Sequence, residues 1–363
     1  MLNLLLSQEE IKIGEKCFEY SNFTTINIPS FIDNLGKFAF NECIHLNQIK
    51  IPSSVKSIGD HCFRGCVELS EISFEDASCL KSIGKYAFEN CKKLTKIKIP
   101  TSVETIEDHC FKGCVELAEI LYDDAPHLKS IGSSAFEDCK KLTKIKILSS
   151  MEIIEDHCFK GCIELSEIIY EDVPRLKSIG NSAFEDCTKL TEIEIPSSVE
   201  TIGEYSFSKC IMLSKISLPA SLKMINNFAF FHCTALANIA IPESVTFLGR
   251  HAFDECISIK EIVIPSSIKE TIATFRECCS LVKVTFPQSF TSISGFTFYR
   301  CISLKEIEIP SSVTLIGKYA FHECTSLIKI EIPSSVKLIG PFCFEGCSSL
   351  KEIVIPSSVQ SIG

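Results

Sequence analysis

A phenylalanine followed three residues later by a cysteine recurs at nearly constant spacing along this chain. It does so at Phe40, Phe63, Phe88, Phe111, Phe136, Phe159, Phe184, Phe207, Phe230, Phe253, Phe275, Phe298, Phe321 and Phe344, in steps of 22, 23 or 25 residues. Phe18 opens the series with Ser21 in the cysteine's place. A period in this range means a solenoid, because one such unit cannot bury its apolar face and must stack on its neighbours. Between Phe63 and Phe207 the steps alternate 25 and 23, so a pair of repeats occurs three times in nearly the same words, as tandem duplication would leave it.

The repeat SSVTLIGKYAFHECTSLIKIEIP, residues 311–333, predicts the fold of one unit. In SLIKIEIP, Ile330 and Ile332 point one way while Lys329 and Glu331 point the other, the period of two of a half-buried strand, and a proline ends it. SSVTLIG reads as a bend that carries Val313 and Ile316 inward to Gly317. KYAFHEC sets Ala320, Phe321 and Cys324 at the spacing of a single helical turn. Each unit is then a strand, a bend and a short turn, and fifteen stacked strands would make a curved rod about 70 Å long.

The pattern L-x-x-I-x-I-P-x-S-V-x-x-I-G-x-x-A-F-x-x-C, nearly complete from Leu304 to Cys324, resembles the BspA-like, Treponema pallidum-type leucine-rich repeats, and the match runs from about residue 11 to the last residue. The resemblance implies an α/β solenoid: a right-handed leucine-rich-repeat superhelix of about 15 repeats, 22–25 residues each. It implies a parallel concave sheet and short helical or 3-10 turns on the convex side. It also implies a protein-binding surface antigen or adhesin that contacts host or neighbouring-cell proteins. The chain, residues 1–363, is expected to form one solenoid that starts and ends mid-repeat, as part of a longer product or with ends that self-associate.

Composition excludes several classes. A net charge of −10 and a pI near 5.4 argue against nucleic acid as a partner. No stretch approaches the roughly 18 apolar residues of a membrane span, and MLNLLLSQEE lacks the basic flank and cleavage site of a secretory leader. The cell surface is therefore expected from the resemblance, and the cytoplasm is the alternative, with an intracellular scaffold docking a protein partner. The phosphate-loop, dinucleotide, zinc-protease and nucleophile-elbow motifs do not occur, so neither an enzyme nor a cofactor is expected.

DHCFKGC, residues 108–114 and again 156–162, brings an aspartate, a histidine and two cysteines together. A zinc site would use two thiolates and an imidazole. However, the column of Cys62, Cys110, Cys158 and Cys343 holds Ala39, Ala87, Ala135 and Ala320 in other repeats, which favours a small buried side chain over a ligand. The column of His61, His109 and His157 holds Tyr86, Tyr205, Phe228 or Phe342 elsewhere and reads as semi-exposed packing. The twenty-one cysteines are expected to be reduced; adjacent Cys278 and Cys279 break the pattern, with Cys279 the candidate for an exposed, reactive thiol or a harmless substitution.

The remaining candidates lie on the strand faces. One outward column nearly alternates in sign, from Gln48, Glu71, Lys96 and Glu119 to Lys329 and Glu352, and would neutralise itself across strands. The next carries the apolar residues Leu121, Ile169, Val263 and Val354, which are candidate contacts for a protein partner. In the 25-residue repeats FEDASCL, YDDAPHL and YEDVPRL replace I-P-S-S-V. They set Phe74 beside Glu75 and Asp76, Tyr122 beside Asp123 and Asp124, and Tyr170 beside Glu171 and Asp172. These acidic pairs would line one edge at about 10 Å intervals, an edge suited to a basic partner or weakly to calcium, although no Gly-flanked Asp loop accompanies them.

Overall fold

Successive repeats form coils joined to their neighbours by parallel main-chain hydrogen bonds, about 15 coils in all, in a computed structural model that describes residues 11–122 and 127–363. The longer strands arise where the sequence alternates: Gln48–Ile51 and Lys96–Ile99 expose their first and third residues and bury the second and fourth. Pairing is in register, Ile49 opposite Ile72 and Ile97 opposite Ile120, so each inward isoleucine covers the next. The proline after the strand opens a tight turn in which the Val55 amide donates to the Pro52 carbonyl at 3.2 Å. The second serine of P-S-S-V bonds sideways: Ser54 Oγ donates to the Ile32 carbonyl at 2.7 Å, and Ser335 Oγ to that of Val313 at 2.6 Å.

The bend expected over SSVTLIG contains a second parallel ladder of two-residue strands. Six such strands pair from Lys12–Ile13 to Ser130–Ile131, five from Ile153–Ile154 to Phe247–Leu248, and five from Glu270–Thr271 to Ser361–Ile362. Glycine follows many of these strands because coils nearly touch there: a Cβ on Gly59 would lie 2.8 Å from the Gly36 carbonyl carbon.

The short helical or 3-10 turns expected on the convex side are absent, and no residue among those described is helical. The reason is where the amides go. Phe38, Phe40 and Glu42 donate to Asp60, Cys62 and Arg64 of the next coil at 2.7–2.9 Å, while Ala39, Asn41 and Cys43 between them donate three residues back. A helix would turn every amide inward along its own axis. This alternation needs left-handed backbone on either side of each phenylalanine: φ is +56° at both Phe38 and Glu42, and +56° and +72° at His109 and Gly113. A left-handed residue with a Cβ costs about 1–2 kcal/mol, least for Asn, Asp and Gly, and Asn90, Gly113, Asp138 and Gly161 occupy successive positions of this kind.

The chain forms two compact units. One comprises residues up to Met151 with Glu155–Asp172, and the other Glu152–Ile154 with Val173–Gly363. In the first, the buried rings from Phe40 to Phe159 stack coil on coil at centroid distances of 5.0–5.7 Å. In the second, the rings from Phe184 to the half-buried Phe344 stack at 5.3–6.0 Å. Beside each stack runs the cysteine column. Cys66 Sγ donates to the Phe40 carbonyl at 3.1 Å, Cys114 to that of Phe88 at 3.1 Å, and Cys256 to that of Phe230 at 3.1 Å. The Phe40 carbonyl already accepts the Cys43 amide at 3.2 Å, so the thiol fills its second lone pair. Alanine would fit the space but could not make this bond.

Candidate interaction surface

In each unit the face of the longer strands is a surface on which the fold fixes the backbone and leaves the side chains to vary. Its alternating column is exposed at every strand and aligned in register, Glu119 opposite Lys96, Lys144 opposite Glu167, Glu192 opposite Lys215, Glu261 opposite Lys283 and Glu306 opposite Lys329. Lys215 Nζ lies 3.4 Å from Glu192. Lys329 instead turns to Glu331 on its own strand, at 2.7 Å, which raises the lysine pKa and lowers that of the glutamate.

The apolar candidates are exposed: Leu121 by 41%, Ile169 by 39%, Val263 by 57% and Val354 by 70%. They do not form one patch. Leu121 sits opposite Lys98, Ile169 opposite Lys146 and Val263 opposite Thr285, while Val354 lies outside the strand ladders. Leu121 shares a hollow of about 400 Å³ with Phe74, Glu75, Lys96, Lys98 and Pro100 in the first unit.

The acidic edge is rearranged from its expected form. Tyr122 and Tyr170 are fourth residues of their strands and so take the inward parity, with hydroxyls buried rather than displayed at the edge. Burial also pushes the Tyr122 phenol up. Glu75 is bound by Lys50 at 3.0 Å and by the Ser53 amide at 3.1 Å. Glu171 is bound by Lys146 at 3.0 Å and by the Ser149 amide and hydroxyl at 3.0 and 2.9 Å. Lys50 chiefly, and at Glu171 the Ser149 amide chiefly, hold these carboxyls below the usual carboxylate range. Both glutamates therefore tie their long loop to the turn of the coil before. Asp76 and Asp172 remain exposed, and Asp123 and Asp124 lie outside the described residues.

In DHCFKGC, the His109 ring stacks on Tyr86 at 4.5 Å in a column that runs Phe38, His61, Tyr86, His109 at 4.5–4.6 Å. Nδ1 of His61 and of His109 is buried without a hydrogen-bond partner among the described residues. Burial, with Arg64 nearby, lowers the His61 pKa and favours the neutral ring. Asp108 bonds Lys85 at 2.7 Å and the Ser133 amide at 3.1 Å. Cys110 is buried, which pushes its thiol up, and Cys114 is engaged by the Phe88 carbonyl. Asp108, His109 and Cys114 thus face three different partners, and Cys110 is packed in the core. Among the described residues no three His, Cys, Asp or Glu groups are placed to hold a metal ion.

All twenty-one cysteines are free thiols. Cys279 is half-buried, and burial followed by the Glu277 charge raises its pKa, which opposes rather than promotes thiolate reactivity. Among the described residues no helix is long and apolar enough to cross a membrane.

Sequence reasoning missed a cleft of about 950 Å³ in the second unit, where cations and aromatic rings converge around Ala273. The signal was available: Ala273 stands in the column that holds His, Tyr or Phe in most repeats and serine at Ser134 and Ser182, inside the 22-residue step from Phe253 to Phe275.

No curated protein is significantly similar in sequence. Among solved structures, a leucine-rich repeat protein from Bacteroides ovatus is 30% identical with a TM-score of 0.63, over 93% of this chain and 82% of that one. A leucine rich cell surface protein from Faecalibacterium prausnitzii is 26% identical with a TM-score of 0.51, over 92% of this chain and 88% of that one. The model of the BspA type leucine rich repeat region matches residues 11–127, 124–202, 172–273 and 271–363. With its strands, turns and phenylalanine column all falling on that repeat, the chain belongs to the BspA-type leucine-rich repeat family.

Proposed function

We propose that this chain is a non-enzymatic surface-antigen or adhesin-type scaffold that binds host or neighbouring-cell proteins through the face of its longer strands. The family's repeat scaffold is typical of protein–protein interaction. The observation that carries the reading is the pair of exposed columns on this face. Main-chain hydrogen bonds are spent between coils and the core is closed by identical residues, so recognition is left to side chains that differ from strand to strand, such as Leu121, Ile169 and Val263. The cell-surface description of the Faecalibacterium prausnitzii protein supports the compartment.

One observation favours the alternative, an intracellular scaffold: twenty-one thiols are free, and those of the ladder are bonded to carbonyls rather than to each other. Labelling intact source cells with a membrane-impermeant amine reagent separates the two, since lysines such as Lys96 and Lys215 are exposed. Modification of this protein beside an unmodified cytosolic control supports the surface reading. Protection equal to the control's overturns it in favour of the intracellular scaffold.

A further inference from the structure

Between Tyr205 and Phe342 the column of stacked rings in the second unit lacks one member. Tyr205, Phe228 and His251 stack at 4.6–4.7 Å, and Phe296, Tyr319 and Phe342 at 4.9 Å, with Ala273 between the two runs. The backbone of that coil is not displaced. Ala273 keeps the left-handed φ of +51°, and the amides of Ala273, Phe275 and Glu277 still donate to Gly295, Thr297 and Tyr299 of the next coil at 2.7–3.2 Å. What is absent is one ring. Two coil spacings separate His251 from Phe296, about 9–10 Å, so a planar group placed over Ala273 would join the two stacked runs on either side of it.

The walls of this slot are fixed and its rim is cationic. Asp254, buried, accepts from His251 Nδ1 at 2.9 Å and from Arg276 at 3.3 Å, setting one wall. Arg276 also spans to Glu277 at 2.6 Å and lies over Tyr299 at 5.3 Å. Lys318 lies over Phe296 at 5.4 Å. Arg250 and Lys318 line the cleft with no carboxylate partner among the described residues, whereas Glu345, the acid on the rim, lies 3.1 Å from His322 Nδ1. Two cations without carboxylate partners beside a gap in the ring column fit a planar ring that carries negative charge next to it.

We propose that the cleft at Ala273 is a binding site for an aromatic side chain of a partner polypeptide flanked by carboxylates. The ring enters the stack between His251 and Phe296, and the adjacent acids meet Arg250 and Lys318. The site is separate from the strand face, and because its test reads a free peptide, either reading stands or falls without the other.

The chain contains no tryptophan, so the fluorescence of an acetyl-Glu-Trp-Glu-amide probe reports on the probe alone. Titration of the whole chain is expected to give a saturable blue shift below about 1 mM. Ala273→Phe puts into the slot a residue the column already uses, and is expected to weaken binding at least about tenfold while leaving the melting temperature equal or higher. Ala273→Ser, a residue found in this column at Ser134 and Ser182, is expected to keep it. An acetyl-Lys-Trp-Lys-amide probe is expected to bind several-fold more weakly. Should Ala273→Phe fail to fold, the double variant Arg250→Glu with Lys318→Glu decides, with weaker binding of the acidic probe expected. Unchanged affinity in Ala273→Phe, equal affinity for the two peptides, or no saturation would overturn the proposal. Saturable binding of adenosine monophosphate without binding of the acidic peptide would overturn it in favour of a nucleobase site.

Discussion

The interior column of phenylalanine and cysteine and the exterior column of lysine and glutamate repeat with the same period, yet they do opposite things with it. Inside, a mid-stack member such as Phe111 is engaged twice, with rings above and below, and the Cys114 thiol bonds a carbonyl already in use. Outside, the charges are aligned strand to strand, but Lys215 reaches its partner only at 3.4 Å and Lys329 turns to its own strand. Repetition inside closes the structure, because any replacement breaks contacts with two neighbours. Repetition outside leaves each position exchangeable, and exchange there is what lets a scaffold acquire a partner.

The largest expected effect therefore belongs to a mid-stack ring. Phe111→Ala removes a fully buried ring stacked on Phe88 and Phe136 at 5.3 Å each, and is expected to lower unfolding free energy by about 3–5 kcal/mol, read as a lower urea midpoint by circular dichroism. A loss under about 1 kcal/mol would mean that neighbouring coils close the gap, and that the stack is not the cohesive element of the first unit. Next comes the thiol. Cys256→Ala keeps the size class but deletes the donor to the Phe230 carbonyl, with an expected cost of about 1–2 kcal/mol by the same measurement. An unchanged midpoint would show that cysteine is there for volume alone.

These two predictions rest on different amounts of legible sequence. The strands could be read because KIKI alternates apolar and charged residues over four positions, enough for a period of two to show. The second ladder could not, since a two-residue strand such as Ser57–Ile58 has no period to detect. The turn at KYAFHEC was misread as helical because the one-three-four spacing of Ala320, Phe321 and Cys324 is shared by a helical turn and by alternating right- and left-handed residues. The distinguishing mark was the Gly, Asn and Asp residues two places after the phenylalanine, at Gly65, Asn90, Gly113 and Asp138, all with positive φ. On the surface, the exposed candidates followed from strand parity, and applying the same parity to Tyr122 and Tyr170 would have placed them inside. The Ala273 cleft was missed because its one sign in the sequence is a substitution in a column, while its cations come from coils on both sides and meet only in the folded chain.

Proton linkage sharpens the comparison further. Burial pushes Cys343 up to about 12 and Cys347 to about 11, from an ordinary thiol value of 9.0. A thiol whose folded pKa is raised stabilises the fold fully below the unfolded value. Above about pH 9 the unfolded chain ionises first, and that stability is lost as pH rises through 11 and 12. The melting temperature is expected to fall over this window, and less steeply in Cys343→Ala. An equally steep fall in that variant would place the alkaline sensitivity elsewhere.

The smallest effect is expected outside. Lys215 and Glu192 are both largely exposed, and exposed pairs lose in side-chain entropy and salt screening most of what they gain by attraction. A double-mutant cycle through Lys215→Ala and Glu192→Ala should therefore show almost no coupling, and none at high salt. A clear coupling that persists in salt would make the alternating column a structural element like the phenylalanine stack, with its sign pattern fixed by the fold. Absence of coupling leaves those positions free of any structural duty. The order of charges along the strand face is then available to be set by whatever protein the face binds, and reversing a block such as Glu192, Lys215 and Glu261 should alter partner binding while leaving the melting temperature in place.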